Sequence, residues 1–169
     1  MSNANNVGDI FIKTVDTENL KLQVTQVDKN IDNIFLKKLK EKLENKCNKN
    51  GLVKKDSVKI INYSCGILDG CDILYTITYE CEICNPVEGM VIECYVKNIT
   101  KAGVRGELLD YKNEDVSPIV VFIARDHEYS NVKFQELKEN DVINVKIIGS
   151  RYVLNDEFIC CIGSLNVEN

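Results

Sequence analysis

The sequence predicts an α+β fold in which a mixed sheet-and-helix domain is followed by a five-stranded β-barrel. Three observations point to this fold class. One segment in the first half has helical periodicity, a proline corner lies near the middle of the chain, and five short strand patterns follow that corner. We expect the first domain to span residues 1–86 and the barrel to span residues 87–169.

The proline corner separates two strand patterns. Apolar and polar residues alternate from Ile73 to Ile83, which is typical of a strand with one buried face. Pro86 ends this strand because proline has no backbone N–H to donate. A new strand begins after Gly89. We expect its buried face to contain Met90, Ile92, Cys94 and Val96, and its other face Glu93, Tyr95 and Lys97.

In the first half, apolar residues recur at helical spacing across residues 33–50. Asp32 is the candidate N-cap of this helix, and Asn50-Gly51 resembles a left-handed C-terminal cap. The lysine-rich remainder of its surface is interpreted as solvated, with a binding patch as the alternative. Early strands are predicted around residues 10–12 and 20–24, and a later one around residues 58–61. Residues 65–72 are predicted to form a turn.

The second half contains five strand-like runs separated by turn residues. A polar stretch at residues 125–138 lies between the third and fourth runs. This pattern favours the partly open Greek-key barrel of the OB-fold, which binds oligonucleotides, over a sandwich with more strands. The predicted strands are residues 89–97, 103–109, 118–124, 142–149 and 157–165.

The excess acidic charge lies in the barrel half. Residues 1–86 hold 12 basic and 12 acidic residues, whereas residues 87–169 hold 9 basic and 14 acidic ones. Because RNA binding depends on neutralising phosphates, we expect any binding by this barrel to be weak and sensitive to salt. The candidate contacts are Tyr95, Lys97, Lys101, Arg105, Arg125 and Arg151.

The cysteines and the single histidine do not form a recognisable catalytic or metal motif. Cys81 and Cys84 make the only CxxC, with Cys65 and Cys71 as conceivable partners for zinc. Positions i and i+3 of a strand point to opposite faces, so we expect no metal and no cofactor. His127 lies in a polar segment, and no nucleophile is paired with a base. Catalysis by this chain alone is therefore not expected.

Two further properties concern location. No apolar run approaches the ~20 residues that span a bilayer, and no signal peptide opens the chain, so no membrane partner is expected. Several of the eight cysteines occupy predicted core positions, where a free thiol behaves as a small hydrophobe. We therefore expect reduced cysteines and an intracellular protein.

The ordered features resemble the stalk subunit of multisubunit RNA polymerases, which is the seventh subunit of eukaryotic RNA polymerase II and has a counterpart in the archaeal enzyme. The resemblance covers most of the chain. The composition of the chain and its sequence around Pro86 are most similar to those of the stalk subunits carried by large cytoplasmic DNA viruses. The resemblance is carried by Phe11-Ile12-Lys13, the helix from Leu36 to Cys47, the strand ending at Tyr79, Pro86, Gly89, Val96, Ala102-Gly103-Val104 and Ile162-Gly163-Ser164-Leu165.

This resemblance implies a noncatalytic polymerase component. Its first domain would dock on core subunits, including the largest, and its barrel would lie near exiting RNA. A second stalk subunit would pack along both domains, and a viral version would be present in the virion and the host cytoplasm. The implied docking tip comprises Asn50, Gly51, Leu52, Ser64, Cys65, Gly66 and Ile67, and the implied RNA-facing surface comprises Tyr95, Lys97, Lys101 and Arg105.

Two other hypotheses remain open. One is a free-standing OB-fold protein that binds single-stranded RNA, for which salt-sensitive binding by the isolated chain is the discriminating observation. The other is a zinc-dependent structural adaptor, which requires stoichiometric metal in the purified protein.

Overall fold

A six-stranded sheet followed by a closed five-stranded barrel makes up most of the molecule. The computed structural model describes residues 10–27, 30–112, 116–129 and 131–166. The sheet contains β1 (Phe11–Gln23), β2 (Cys47–Asn48), β3 (Gly51–Val53), β4 (Lys59–Tyr63), β5 (Ile67–Asp69) and β6 (Asp72–Cys84). The barrel contains β7 (Val91–Ile99), β8 (Gly103–Leu108), β9 (Ile119–Ala124), β10 (Val142–Arg151) and β11 (Ile159–Leu165). The α-helices of the described residues are α1 (Ile31–Leu43) and α2 (Val132–Gln135), and short 3-10 helices span Val24–Gln26, Leu109–Tyr111 and Arg125–His127.

Strand β6 is the centre of the first sheet. Strand β1 pairs antiparallel with it over all 13 residues, and β3, β4 and β5 pair with its other edge. Helix α1 places Phe35 and Leu39 in the core against the inward side chains of β6, such as Ile77 and Tyr79. The sequence predicted separate early strands, but β1 continues through its polar middle because β6 offers a hydrogen-bonding partner along its full length.

Helix α1 is shorter than predicted. It ends at Leu43, and Asn45 then adopts a left-handed conformation with φ 56°. The next residues turn back as the hairpin of β2 and β3, so Asn50-Gly51 belongs to a strand turn and does not cap the helix. Asp32 lies inside the helix and is not its N-cap. The helical prediction failed here because burial of Cys47 against the barrel overrides local propensity.

The predicted turn at residues 65–72 contains strand β5. Ile67 pairs with Leu74 and Asp69 pairs with Asp72, which makes a tight hairpin around Gly70. Gly70 has φ 65°, a conformation that glycine adopts without strain. The turn residues were recognised correctly, but the short pairing that extends the hairpin was missed.

All five predicted barrel strands are found, with ends shifted by no more than two residues. Their order around the barrel is β7-β8-β9-β11-β10, and β10 closes the barrel by pairing with β7. Strands β9 and β11 are parallel, and the other pairs are antiparallel. The barrel is closed, whereas the sequence predicted a partly open one. Phe134 of α2 packs into its core.

The core of the barrel extends into the near end of the first sheet, which also has a separate core beneath α1. Cys47, Leu52 and Cys84 of the sheet pack with the barrel residues, among them Ile159 and Cys161. Backbone hydrogen bonds continue this contact. The Cys47 N–H donates to the Asp156 carbonyl at 2.8 Å, and the Cys47 carbonyl accepts a hydrogen bond from the Asn155 N–H at 2.9 Å. The boundary between residues 86 and 87 stays a prediction, since the core continues across it.

The turn between β2 and β3 requires glycine at position 51. Gly51 has φ 139°, and a Cβ atom there would lie 2.3 Å from the Cys84 carbonyl oxygen and 2.8 Å from Ile83 Cγ2. We expect Gly51→Ala to lower the free energy of unfolding by about 3 kcal/mol, since it combines backbone strain with a clash against β6.

Gly70→Ala is the matched control for this prediction. Gly70 also has a positive φ, but nothing lies within 4 Å of its Cβ position. Urea denaturation should show a loss of only about 1 kcal/mol for this variant. Equal losses at the two positions would show that crowding against Cys84 contributes nothing.

Candidate functional site

A cluster of basic side chains surrounds one buried carboxylate on the outside of the barrel. Tyr95 of β7 lies directly opposite Glu107 of β8, and the Tyr95 hydroxyl donates a hydrogen bond to Glu107 Oε2 at 2.8 Å. Lys97 Nζ lies 3.3 Å from Oε2, and Arg105 Nη2 lies 3.2 Å from Oε1. We call Tyr95, Lys97, Arg105, Glu107 and Lys112 the β7–β8 cluster.

The carboxylate of this cluster is enclosed, while its cations still face solvent. The Glu107 side chain is 10% exposed, compared with 51% for Lys97 and 50% for Arg105. Burial raises the pKa of Glu107, but the hydrogen bonds and the two cations outweigh it and lower this pKa below its usual value. Glu107 is therefore ionised at neutral pH and neutralises part of the positive charge around it.

Tyr95 lies beneath the cations. The residue is 3% exposed, and its ring lies 5.7 Å from Lys97 Nζ and 5.5 Å from Lys112 Nζ. Burial and the hydrogen bond to Glu107 raise the pKa of Tyr95, so the phenol remains a protonated donor. The expectation that Tyr95 contacts RNA directly does not fit this position, because a base cannot stack on the ring unless the lysines move.

The other predicted RNA contacts are divided between the two ends of the barrel. Lys101 lies in the turn between β7 and β8, and Arg125 follows β9 at the same end, where its backbone N–H donates to the Ala102 carbonyl at 3.0 Å. Arg151 is the last residue of β10, at the opposite end. The structure thus brings Lys97 and Arg105 together, places Lys101 and Arg125 near each other, and separates Arg151 from both groups.

The two predicted docking turns also lie apart. Leu52 pairs with Cys84 at the end of β6 next to the barrel, whereas Ile67 pairs with Leu74 near the other end. Ten residues of extended β6 separate these pairs, which corresponds to about 33 Å. Asn50, Gly51 and Leu52 therefore cannot form one tip with Ser64, Cys65, Gly66 and Ile67.

The far end of the sheet exposes apolar side chains. Ile67 is 65% exposed and Leu68 is 74% exposed on the β5–β6 hairpin. We call residues 67–74 the distal hairpin. An ion pair of 2.6 Å between Lys21 and Asp69 connects it to β1, although both side chains are more than half exposed and such pairs stabilise little. The sequence did not indicate Leu68, because it lay in a predicted turn.

Gly66 is packed against the core next to this hairpin. A Cβ atom there would lie 2.4 Å from Ile73 Cγ2 and 2.9 Å from the Tyr75 ring. Gly66→Arg would therefore disturb the packing of Ile73 and Tyr75 as well as the exposed surface.

The cysteines are distributed in a way that does not suit the conceivable zinc site. Cys81 and Cys84 are buried near the barrel end of β6. Cys71 is exposed in the distal hairpin, and Cys65 is exposed just before it. Cys71 precedes β6 and Cys84 ends it, so the two pairs lie far apart along an extended strand. Within residues 10–27, 30–112, 116–129 and 131–166, no group of three or more His, Cys, Asp or Glu side chains is arranged to hold a metal ion.

Glu107 and Lys112 were missed by the sequence reasoning. Glu107 was counted only as excess acidic charge, and its contact with Tyr95 depends on the register of β7 and β8. That register shifts between Val96 and Asn98, which alternation alone does not reveal.

In the part of the chain that the structure describes, no helix is both long enough and apolar enough to span a membrane.

Comparison with known proteins adds one finding to this geometry. No protein-family model matches the chain. A curated protein of Acanthamoeba polyphaga mimivirus is 28% identical over an alignment 173 positions long, which covers 92% of this chain and 82% of the viral protein. This chain is similar to that viral protein over almost its whole length. The viral protein carries a provisional name as a DNA-directed RNA polymerase subunit, L376.

The matched length includes both the sheet and the barrel, because 92% of the chain cannot be covered by either part alone. The distal hairpin and the β7–β8 cluster are thus two surfaces of one molecule that is similar throughout to the viral protein.

Proposed function

We propose that this protein is a noncatalytic stalk subunit of a viral DNA-directed RNA polymerase. The observation that carries the proposal is the similarity to the mimivirus polymerase subunit over 92% of the chain. The resemblance of the ordered sequence features to the polymerase stalk family supports the same assignment.

The barrel topology supports an OB-fold. Numbered within the barrel, the strands follow the order 1-2-3-5-4, with the fourth closing on the first and the third parallel to the fifth. This arrangement is a five-stranded Greek-key barrel, in which the face of strands 2 and 3 and the loops at its ends bind oligonucleotides. Those strands are β8 and β9 here, and β8 carries Arg105 and Glu107.

Docking on the polymerase core is assigned to the distal hairpin. Exposed Ile67 and Leu68 offer apolar area that a partner subunit would bury. The hairpin lies at the end of β6 away from the barrel, so docking there leaves the barrel free to project from the enzyme. The partners in this proposal are core subunits, including the largest, together with a second stalk subunit.

The barrel would meet nascent RNA through its basic surface. Lys97 and Arg105 lie side by side, and Lys101 and Arg125 lie at the adjoining end of the barrel. The net charge of −5 for the chain limits nonspecific attraction to phosphates, so the contact is weak and depends on delivery by the docked enzyme. The protein would act in the virion and in the host cytoplasm.

Affinity purification of the tagged full-length chain from producing cells tests this proposal. The wash uses mild salt, and mass spectrometry identifies the recovered proteins. We expect the two largest polymerase subunits in near-equal amounts. Recovery of the chain without them would contradict the polymerase assignment.

The alternative is a free-standing single-stranded RNA-binding protein, which the β7–β8 cluster favours. It predicts recovery of RNA without a large protein partner in the same purification. It also predicts binding by the isolated chain that weakens steeply with salt, and no binding at low salt would exclude it.

A further inference from the structure

We infer that Glu107 is a built-in competitor for RNA phosphate, which holds the affinity of the barrel for single-stranded RNA low. This inference rests on the proposed contact between the barrel and RNA. Glu107 pairs with the same two cations, Lys97 and Arg105, that an RNA phosphate would contact.

The geometry places the carboxylate where a phosphate oxygen would otherwise bind. Both Glu107 oxygens are engaged, with Oε1 on the Arg105 guanidinium and Oε2 on Lys97 and the Tyr95 hydroxyl. Guanidinium and ammonium groups bind carboxylate and phosphate with the same donors. The Tyr95 hydrogen bond keeps the carboxylate in place when solvent or a ligand approaches.

The cations nevertheless remain available from outside. Lys97 and Arg105 keep half of their side-chain surface exposed. Each has N–H donors beyond those directed at Glu107 and, for Lys97, at the Tyr95 hydroxyl, which lies 3.3 Å from Lys97 Nζ. An RNA phosphate would therefore contact the outer side of the pair while Glu107 repels it from beneath. Glu107 thus weakens RNA binding without preventing it.

The basic residues of the barrel differ in whether a carboxylate already neutralises them. Lys101 forms no ion pair with any residue that the structure describes, whereas Lys97 and Arg105 share one carboxylate. The salt slope is the decrease in the logarithm of RNA affinity per tenfold increase in salt concentration. Each phosphate contact by a cation without a carboxylate partner contributes about 0.7 to this slope on single-stranded RNA. Lys97 and Arg105, which share Glu107, should together contribute less to the salt slope than two such contacts would.

The test measures binding of a fluorescent single-stranded RNA of about 16 nucleotides to the full-length chain, between about 50 and about 200 mM salt. Glu107→Gln retains an acceptor for Tyr95 and removes the charge. We expect affinity at the lowest salt to rise about threefold, as one unit charge at about 6 Å produces in an aqueous dielectric. The salt slope should steepen by about 0.7 for each cation released.

Three comparisons make the test specific. Glu41→Gln removes one charge from the exposed surface of α1, away from the barrel, and should leave affinity nearly unchanged. In a Lys97→Met background, the gain from Glu107→Gln should shrink, because the two residues act through each other. With Glu107 intact, Lys101→Ala should remove more of the salt slope than Lys97→Met does.

The outcomes separate this inference from the proposed RNA contact. Unchanged or weaker binding by folded Glu107→Gln would overturn the inference, as would an equal gain from Glu41→Gln. If Glu107→Gln does not fold, the comparison of Lys101→Ala with Lys97→Met decides, and equal losses of slope would overturn the inference. Absence of binding by the wild-type chain and by Glu107→Gln at the lowest salt would overturn the inference and the free-standing RNA-binding alternative. The polymerase assignment is overturned by a different result, which is failure to recover the large polymerase subunits in the affinity purification.

Discussion

Replacing Ile67 and Leu68 together with aspartate should release the protein from the polymerase while leaving it folded. Both side chains are more than 60% exposed, so the free protein loses little packing. In the proposed complex they would be buried, and each contributes about 2 kcal/mol when removed from water. Affinity for the core enzyme should fall by about 10³-fold, with loss of co-purification as the readout.

A matched pair of substitutions controls for added charge and lost apolar surface. Val153 and Leu154, in the loop between β10 and β11, are 59% and 65% exposed and lie on the barrel. Val153→Asp with Leu154→Asp should keep the polymerase bound. Retention of the enzyme by the hairpin variant would show that the distal hairpin is not the docking surface.

Alkaline pH should unfold the protein through its buried thiols. Burial is the main cause that raises the pKa of Cys47 and Cys81 to about 11, and that of Cys84, Cys94 and Cys161 to about 12. These folded-state values lie above those of the unfolded chain. Their contribution to stability is therefore fully present below about pH 9 and is lost as the pH rises toward 11 to 12.

The magnitude follows from the linkage between proton binding and folding. Between about pH 9 and 10, each thiol lowers the free energy of unfolding by about 1.4 kcal/mol per pH unit, and the five together by about 7 kcal/mol per pH unit. Above about pH 10 the buried Tyr79 phenol, whose pKa burial also raises, adds to this slope. A domain of ordinary stability would unfold within one to two units above pH 9. Urea denaturation at a series of pH values measures the slope.

Single cysteine substitutions identify the groups responsible. Cys81→Ala should reduce the alkaline slope by about one fifth, whatever it does to stability at neutral pH. Cys160→Ala removes an exposed thiol and should leave the slope unchanged. A slope that is the same in both variants as in the wild type would show that buried thiols do not drive alkaline unfolding.

The barrel was more predictable from the sequence than the helix end. In β9, Ile119, Val121 and Ile123 alternate with more exposed residues, and this period of two depends only on which face is buried. The same alternation leaves Cys160 exposed and Cys161 buried in β11. The end of α1 could not be predicted, because the competing burial of Cys47 involves barrel residues about 110 positions later in the chain.

The sequence by itself determined the fold class, the five barrel strands and the resemblance to polymerase stalk subunits. Each of these depends on local periodicity and turn residues, which are properties of neighbouring positions. Only the tertiary structure decided that the two predicted docking turns lie at opposite ends of β6. It also placed Glu107 among Tyr95, Lys97 and Arg105. Both depend on strand register, because a bulge or a shift of one residue changes which side chains meet.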